Sequence, residues 1–417
     1  MRIVIIGNGT AGVHAVKAIL ENEPKAEITL ISDDEPIFYS RPEITQLIGD
    51  PYGLSHIALP FPSDFSERVS FLQDTVESID PGRRMLTLRN RSTLFYDRLI
   101  LATGAAPKRV KVVGVPNDRI MTLRTAGDAK RIADFLCCAT RPIVLGGGLV
   151  GLKIAHTLSH MGLSPKVLVS SQQILSRNVD AKTARVIQKL FEEHGVEFIF
   201  GAMVKSGDWN ARREEGVLLL EGGGKIPFDL VLVGKGIVPR VTLAEEAGLL
   251  IEGGGIAVSD AMETSSEGHY AAGDCASIFN HESGRYENRA IWPVATESGR
   301  VAGEAVVGKL ISARRFSAPV SRNAIPFFSV PMVSIGTIQG EGLKVTSFED
   351  PSRTIVRKVF QEGGKVVGAV LIGDITHAGL LFEAVRTGVR IRKIPDWLVE
   401  GVPSLSQQTP SMEVLFS

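Results

Sequence analysis

The chain has few cysteines, and their placement excludes a disulfide-rich fold and a cysteine-bound metal centre. Only three occur among 417 residues, at Cys137, Cys138 and Cys275. Neither a disulfide framework nor a C-x-x-C metal site can be formed with this spacing. We therefore predict reduced thiols and no metal site, as expected in a reducing compartment.

Excess charge of one sign and long hydrophobic runs are also lacking. Lys plus Arg and Asp plus Glu are balanced at 46 each, so no basic field favours nucleic acid or an anionic membrane. No uninterrupted apolar stretch is long enough to cross a bilayer, and a first strand that begins at Arg2 leaves no room for a signal peptide. The sequence predicts a cytoplasmic protein that binds neither nucleic acid nor membrane.

Glycine, in contrast, is abundant and occurs in a repeated motif. The segment IVIIGNGTAG at residues 3–12 has a second copy, IVLGGGLVG, at residues 143–151. Each copy is typical of a buried strand, a G-x-G-x-x-G turn and a helix whose N-terminus binds a pyrophosphate. The predicted ligand contacts are Gly7, Gly9, Thr10, Ala11 and Gly12 in the first copy and Gly146, Gly148, Leu149, Val150 and Gly151 in the second. One copy alone is a weak signal, but two copies indicate an enzyme that holds a flavin and a nicotinamide nucleotide.

The residues after the first motif continue an α/β pattern. A helix is predicted from about Ala11 to Leu20, followed by a strand at residues 27–31 that ends in Ser32-Asp33-Asp34. An acidic residue at this distance from the glycines accepts hydrogen bonds from a ribose diol. We assign this role to Asp33, with a solvated loop carboxylate as the alternative.

Two further segments end predicted strands in small residues, where a ligand can approach the backbone closely. They are LATGAAP at residues 101–107, with Ala102, Thr103 and Gly104, and YAAGDCA at residues 270–276, with Gly273 and Asp274. The Asp274 carboxylate can accept hydrogen bonds from ligand hydroxyls. Cys275 is interpreted as a packed small side chain, since a buried free cysteine usually behaves as a small hydrophobe.

The ordered motifs GNGTAG, ATGAAP, GGGLVG and AAGDCA resemble the FAD-dependent pyridine nucleotide oxidoreductases that hold two dinucleotides. The resemblance covers about residues 1–308. It implies two Rossmann-like domains: a discontinuous FAD-binding domain at residues 1–109 and 242–315, and an inserted NAD(P)H-binding domain at residues 110–241. Residues 316–417 are expected to form a C-terminal α+β interface domain. The implied cofactors are FAD and NADH, with NADPH not excluded, and Gly236 in GKGIVPR is included among the residues that bind them.

Shorter motifs narrow this resemblance to one branch of the family. Tyr39-Ser40-Arg41-Pro42 and Trp292-Pro293 are similar to NADH:rubredoxin reductases, flavin subunits of nitrite reductases and NADH-linked flavin subunits of aromatic keto-acid dehydrogenases. By this similarity, Arg41 and the backbone at Val76 should contact FAD.

A thiol that many relatives use is missing. Disulfide reductases of the family place cysteine shortly after the second strand of the FAD domain, but residues 39–49 read YSRPEITQLIG. Electrons that enter the flavin then have no protein disulfide through which to leave. This difference favours transfer to a separate acceptor.

Two side chains are candidates for contact with the reacting rings. Relatives commonly have a glutamate where this chain has Lys153 and a lysine where it has Gln46, so that pair is not preserved. We hypothesise that Lys153 approaches the flavin or nicotinamide and stabilises developing negative charge; a structural ion pair with Glu43 is the alternative. Trp292 begins a helix that similarity directs at the flavin pyrimidine edge, although it could instead be a core aromatic.

The nucleotide preference is less directly encoded. The predicted strand at residues 166–169 ends in Ser170 and Ser171, with neither the acid expected for NAD nor a nearby cation for a 2′-phosphate. We expect NADH, because a 2′-phosphate without a cation would cost more binding free energy than a ribose hydroxyl without a hydrogen-bond partner. Arg177 would reverse this preference if its loop folded back.

The last hundred residues are predicted to form a separate α/β unit. Residues 354–360 and 365–372 have the pattern of a hairpin, and Asp374 is a plausible N-cap for a helix toward Val385, with His377 near its start. Relatives use such a unit for dimer contacts or to cover the flavin edge, so a homodimer is possible.

The sequence therefore predicts an FAD-containing NAD(P)H:acceptor oxidoreductase. Hydride would pass from the nicotinamide to the flavin, and electrons would continue to a rubredoxin, a ferredoxin or an iron–sulfur partner subunit. Two alternatives remain: an oxidase that reduces oxygen, and a flavin-bound sensing protein whose association changes with NADH. Motifs for cofactors do not encode the choice of acceptor.

Overall fold

The fold was determined from a computed structural model of the chain. The structure describes residues 1–60, 65–280, 283–309 and 320–400. The predicted boundary between residues 315 and 316 lies outside these described residues. Among the helices described, none is both long and apolar enough to span a bilayer.

Strands alternate with helices along most of the described chain. The strands are β1 (Arg2–Ile6), β2 (Glu27–Ser32), β3 (Val69–Gln73), β4 (Val76–Asp80), β5 (Met85–Leu88), β6 (Thr93–Phe95), β7 (Arg98–Leu101), β8 (Ala105–Pro107), β9 (Ile120–Thr122), β10 (Pro142–Leu145), β11 (Lys166–Val169), β12 (Glu197–Phe200), β13 (Val204–Asn210), β14 (Glu215–Leu220), β15 (Lys225–Phe228), β16 (Leu230–Val233), β17 (Ile237–Pro239), β18 (Ile251–Glu252), β19 (Gly255–Val258), β20 (His269–Ala271), β21 (Ala276–Asn280), β22 (Arg285–Glu287), β23 (Arg322–Phe327), β24 (Val330–Gly336), β25 (Lys344–Asp350), β26 (Ile355–Glu362) and β27 (Lys365–Ile372).

The helices fall mainly between strands of the two parallel sheets. They are α1 (Thr10–Asn22), α2 (Gln46–Gly49), α3 (Phe65–Arg68), α4 (Ala126–Leu136), α5 (Leu149–His160), α6 (Ala181–Glu193), α7 (Thr242–Glu246), α8 (Trp292–Val306), α9 (Ala378–Thr387) and α10 (Asp396–Glu400).

The first compact unit comprises Met1–Lys108, Leu123–Asp134 and Ile237–Pro319. Its main sheet has the strand order β20-β7-β1-β2-β3, with every neighbouring pair parallel. Strand β1 lies at the centre and is buried from Ile3 to Ile6, because both faces of a parallel sheet are covered. The predicted strand and helix after the first glycine motif are confirmed as β2 and α1.

Helices α1 and α8 pack closely in this unit because α8 presents glycines to α1. A Cβ at Gly299 would lie 2.2 Å from the carbonyl oxygen of Ala11, and one at Gly303 would lie 2.4 Å from that of Ala15. Any larger residue would therefore separate the helices. This contact fixes the N-terminal end of α8 beside the first glycine turn.

The second compact unit comprises Arg109–Thr122, Phe135–Gly236 and Val320–Ser417. It contains a second parallel sheet, with the order β12-β11-β10-β16-β9, and an antiparallel sheet formed by β13, β14 and β15. An antiparallel sheet with the order β23-β24-β27-β26-β25 belongs to the same unit. The division into three domains at the predicted boundaries stays a prediction.

The C-terminal predictions are confirmed in one part and wrong in another. The hairpin is formed by β26 and β27, which pair antiparallel. Asp374 is not the N-cap of α9, because the helix begins only at Ala378 and His377, with φ of 72°, precedes it. The Asp374 carboxylate instead accepts a hydrogen bond from the Thr376 N–H at 2.9 Å and pairs with Arg357 at 2.7 Å. The chain makes an extra turn before the helix, which the sequence pattern did not indicate.

Candidate functional site

The first glycine turn admits only glycine at two positions. Gly7 has φ of 113°, and a Cβ there would lie 2.2 Å from the carbonyl oxygen of Ala102. A Cβ at Gly12 would lie 1.9 Å from the carbonyl oxygen of Gly7. These glycines allow β1, the turn and α1 to pack against the end of β7.

Gly9 has a different environment, because it faces open space. The nearest heavy atom to a Cβ there would be Arg41 Nε, at 3.9 Å. Gly9 is also the N-cap residue of α1, so Thr10 and Ala11 form the first turn of the helix, which contains no acidic residue. A helix N-terminus without side-chain capping binds anions through its N–H groups and its dipole. The turn therefore fits a pyrophosphate group.

The second turn repeats this geometry in the other unit. Gly146 has φ of 119°, and a Cβ there would lie 2.5 Å from the carbonyl oxygen of Gly234, while one at Gly151 would lie 1.9 Å from that of Gly146. A Cβ at Gly148 would have no atom within 4 Å. Helix α5 begins at Leu149 and also has no acidic residue in its first turn. A second pyrophosphate fits here for the same physical reasons.

A charged network surrounds the first turn. The Asp34 carboxylate accepts hydrogen bonds from the Tyr39 hydroxyl at 2.7 Å and from Arg41 Nη2 at 2.8 Å. Arg41 Nη1 donates to the carbonyl oxygen of Arg124 at 2.9 Å, and Arg124 Nη2 pairs with Asp274 at 2.8 Å. Burial is the main reason that the pKa of Tyr39 is raised, so its hydroxyl remains a donor. The network joins the ends of β2 and β20.

The sequence missed two members of this network, Asp34 and Arg124. Asp33, chosen as the ribose acceptor, is exposed, whereas its neighbour Asp34 is half-buried; the role of Asp33 stays a prediction. Arg124 is 83 residues from Arg41 and 150 from Asp274, so no local spacing could reveal the contact. The one local indication is Asp128, whose carboxylate accepts hydrogen bonds from the N–H groups of Arg124 and Thr125 and so fixes the backbone at Arg124.

The segment around Asp274 is held rigidly. Gly273 has φ of 78° and donates its N–H to Ser298 Oγ at 2.9 Å. The Asn288 side chain donates to the carbonyl oxygen of Asp274 at 2.8 Å. The Cys275 thiol is buried and lies 3.4 Å and 3.3 Å from the carbonyl oxygens of Leu101 and Ala272. Because the side chain is fully buried, the interpretation of Cys275 as a packed small side chain is confirmed, and the burial raises the pKa of the thiol.

The other predicted residues of the first unit lie at the ends of its strands. Thr103 Oγ1 donates to the carbonyl oxygen of Arg240 at 2.8 Å, and Gly104 accepts from the Arg240 N–H at 2.9 Å. Ala102 and Val76 are buried. Trp292 begins α8 and stacks on Phe38, with ring centroids 6.2 Å apart and planes inclined by 14°. Its predicted approach to the flavin stays a prediction.

The remaining predicted residues belong to the second unit. Ser170 is exposed directly after β11, Gly236 has φ of 92° with open space around it, and Arg177 is exposed. Lys153 is half-buried on α5, one turn before His156. Glu43 belongs to the first unit, so the roles suggested for Lys153 both stay predictions.

Comparison with known proteins identifies the family. Residues 1–299 match the model of the pyridine nucleotide-disulphide oxidoreductases, and residues 323–389 match that of the rubredoxin NAD+ reductase C-terminal domain. The rubredoxin-NAD(+) reductase of Pseudomonas putida is 33% identical over 280 residues, which cover 66% of this chain and 72% of that protein. The NADH-dependent phenylglyoxylate dehydrogenase subunit epsilon of Aromatoleum evansii is 26% identical over 415 residues, 97% of each.

A solved structure confirms the fold class. A chain of the covalent putidaredoxin reductase–putidaredoxin complex superposes with a TM-score of 0.84 at 23% identity, covering 94% of each chain. This superposition confirms the mixed α/β architecture expected from the sequence. The family match over residues 1–299 confirms the oxidoreductase class and the cofactors FAD and NAD(P)H. With two glycine turns that each fit a pyrophosphate and a family match over residues 1–299, this chain belongs to the pyridine nucleotide-disulphide oxidoreductase family.

Proposed function

We propose that the protein is an FAD-dependent NADH:acceptor oxidoreductase that passes electrons to a small iron-containing redox protein or to a partner subunit. The first unit would bind FAD and the second would bind NADH. When bound, FAD accepts a hydride from the nicotinamide and releases electrons singly to a one-electron acceptor. The three-domain division at residues 109/110, 241/242 and 315/316 is part of this proposal.

In the first unit, the proposed FAD contacts follow from the cradle around Gly9. The N–H groups of Thr10 and Ala11 would bind the pyrophosphate, because they open α1 without side-chain caps. The Asp274 carboxylate would accept hydrogen bonds from ligand hydroxyls, while its pairing with Arg124 at 2.8 Å fixes its position. Asp33, Arg41, Val76 and the residues 102–104 would complete the FAD site.

In the second unit, the open space at Gly148 would admit the NADH pyrophosphate. The N–H groups of Leu149 and Val150 would bind it, with Ser170 and Gly236 at the edge of the site. We propose NADH rather than NADPH because Ser170 and Ser171 offer hydroxyl groups and no charge to a 2′-phosphate.

The absence of a cysteine from the segment after β2 supports a separate electron acceptor. Residues 39–49 contain no cysteine, and the Cys275 thiol is buried between two carbonyl oxygens. A relay through a protein disulfide would need a cysteine pair at the flavin, one of which attacks as the thiolate. We therefore propose that electrons leave the flavin directly.

The names of relatives guide the choice of acceptor. One relative is a rubredoxin-NAD(+) reductase, and the match at residues 323–389 is to a domain of such reductases. Another is the epsilon subunit of an NADH-dependent phenylglyoxylate dehydrogenase. We propose a rubredoxin, a ferredoxin or an iron–sulfur subunit, and a cytoplasmic location where reduced nicotinamide is available.

The test is steady-state turnover of the FAD-loaded protein with NADH and a panel of acceptors. Rubredoxin, a [2Fe–2S] ferredoxin and oxygen are compared at equal electron equivalents, with peroxide measured in each case. Faster reduction of an iron protein than of oxygen supports the proposal. Equal NADH consumption without any iron protein would identify an oxidase, and negligible turnover with all acceptors would favour the sensing alternative.

A further inference from the structure

The loop of residues 170–180, which we term the return loop, connects β11 to α6 in the second unit. It follows the second strand of a Rossmann sheet, where the adenosine ribose of a dinucleotide lies. The loop folds back on the glycine turn, because the Leu175 N–H donates to the carbonyl oxygen of Gly147 at 2.7 Å. Within the loop, the side chains of Ile174 and Leu175 are buried. Its position therefore determines the shape of the proposed NADH site.

The C-terminal sheet holds this loop at two points. Gln339, which follows β24, donates its Nε2 hydrogen to the carbonyl oxygen of Ser176 at 2.7 Å. Lys358 on β26 donates from Nζ to both carboxylate oxygens of Asp180, each at 3.0 Å. One contact fixes the middle of the return loop and the other fixes its end.

The ion pair between Lys358 and Asp180 is largely shielded from water. The Lys358 side chain is only 8% exposed, and its ammonium also lies 3.6 Å from Glu349. A buried ammonium is costly unless it is paired, so the carboxylates are required at this position. Lys182 pairs with the same Glu349 at 2.6 Å, which extends the cluster to the first turn of α6.

Asp180, which pairs with Lys358, also binds the backbone of α6. Its carboxylate is the N-cap and accepts from the N–H groups of Lys182 at 3.1 Å and Thr183 at 3.2 Å. Burial would raise the pKa of Asp180, but hydrogen bonds from Thr183 and Lys358 outweigh it and hold the pKa below its usual value. The carboxylate is therefore charged at neutral pH and binds the helix and the C-terminal sheet together.

From these contacts we infer that the C-terminal sheet positions the NADH-binding loop, with Lys358 and Gln339 as positioning residues that set the affinity for the nucleotide. The inference rests on the proposed function, since it assigns NADH to the second unit. Both residues would act through the loop and not by contact with the reacting atoms. Their loss should weaken NADH binding and leave the rate of hydride transfer from bound NADH unchanged.

The test compares Lys358→Met, Gln339→Ala and Lys358→Arg with Lys365→Met, a control at an exposed lysine of the same sheet. Anaerobic stopped-flow reduction over a range of NADH concentrations separates the apparent Kd from the limiting rate. Hydrogen exchange of residues 170–180 with and without NAD+ reports the loop without relying on turnover. Lys358→Met retains the length of the side chain, and Gln339 is exposed, so Gln339→Ala leaves the core intact.

We expect Lys358→Met to raise the apparent Kd about tenfold and Gln339→Ala about threefold, with limiting rates and FAD content unchanged. Lys358→Arg should restore most of the affinity, and faster exchange in the return loop should accompany each loss. Unchanged Kd values in both variants, while wild type is still reduced by NADH, would overturn this inference and leave the proposed function standing. Wild type that binds FAD but is not reduced would overturn both.

Discussion

The two glycine turns have the same backbone but different surroundings. Gly7 and Gly146 have φ values of 113° and 119°, and a Cβ at either would collide with a carbonyl oxygen of a neighbouring strand end. Around the first turn, side chains of opposite charge form a connected network that includes Arg41 and Asp274. The phosphate cradle is thus set by glycine, whereas the recognition of the rest of each ligand depends on neighbouring segments.

The surroundings of the second turn are apolar and depend on the C-terminal sheet. Val169 and Ile174 lie within 3.2 Å of the position of a Cβ at Gly147, and the loop beyond is held by Gln339 and Lys358. The first turn is supported instead by side chains that follow the ends of parallel strands, such as Asp34 after β2 and Asp274 after β20. Two copies of one motif are therefore stabilised by different partners. Substitutions at one turn should change the affinity for one ligand and not for the other.

The largest expected effect comes from the glycines with positive φ. Gly7→Ala and Gly146→Ala each place a methyl group within about 2.5 Å of a carbonyl oxygen in a strained backbone conformation. Gly7→Ala should reduce FAD affinity on the order of 100-fold or more, and Gly146→Ala should do the same for NADH while FAD is retained.

Bound FAD after purification and the apparent Kd for NADH are the measurements. Gly222→Ala is the control, since a Cβ there has open space and φ is not positive. Loss of both ligands in both variants would contradict the independence of the two sites.

Substitutions at Gly9 and Gly148, which face open space, should have smaller effects, each on the affinity for one ligand only. A Cβ at Gly148 has no neighbour within 4 Å and one at Gly9 has none closer than 3.9 Å, so a side chain can start there without a clash, and the methyl groups of valine would occupy the room of a ligand. Gly9→Val should weaken FAD binding and Gly148→Val should weaken NADH binding, each about 30-fold. Thermal unfolding of the ligand-free forms should change little. A marked drop in Tm with unchanged ligand affinity would show that these glycines serve packing.

The network around the first turn predicts a moderate effect at Arg124. Arg124→Met leaves the largely buried Asp274 carboxylate without its cation, so the affinity for FAD should fall about tenfold. The apparent Kd for NADH should not change. Arg131→Met is the control, because Arg131 is 70% exposed in its ion pair with Asp128. Equal losses in the two variants would argue against a specific role for Arg124.

The smallest expected effect is on the pH dependence of stability, through His156 on the helix that follows the second turn. The Phe328 N–H donates to His156 Nε2 at 3.1 Å. Burial, together with Lys153, His160 and His194, lowers the pKa of His156 to about 4. The unfolded histidine has a pKa of about 6.5. Because the unfolded state binds a proton first on acidification, stability from this group is present above pH 6.5 and is lost as pH falls toward 4.

His156→Gln should therefore lose less stability than wild type between pH 7 and pH 4.5, by a few degrees in Tm. Differential scanning fluorimetry over this range is sufficient, with His56→Gln as a control at an exposed histidine. Parallel pH profiles of wild type and His156→Gln would contradict the assignment.

The residues that sequence reasoning identified are mainly those whose role is local. The two turns, the strands that precede them and the helix from Trp292 follow from glycine spacing and apolar periodicity over short windows. The hairpin of β26 and β27 was equally visible because Gly363 and Gly364 supply its turn. The error at Asp374 arose because an acidic residue four positions before a helix was taken for its cap.

The contacts that the sequence did not reveal join distant segments. Asp34 and Arg124 are parts of one network only because β2 and the segment before α4 meet in the fold. The contact between Lys358 and Asp180 spans 178 residues. Charged residues are usually exposed, so composition gives no reason to expect Lys358 to be buried. Such pairings require the tertiary structure.

We propose above all that NADH bound at the second turn reduces FAD bound at the first. Anaerobic stopped-flow reduction tests this most directly. FAD-loaded wild type and Gly148→Val are mixed with NADH and, separately, NADPH while the flavin absorbance is followed. We expect rapid bleaching of wild type by NADH, slower bleaching by NADPH, and a much higher NADH concentration for half-maximal reduction of the variant. A flavin that remains oxidised with both nucleotides in wild type would contradict this proposal.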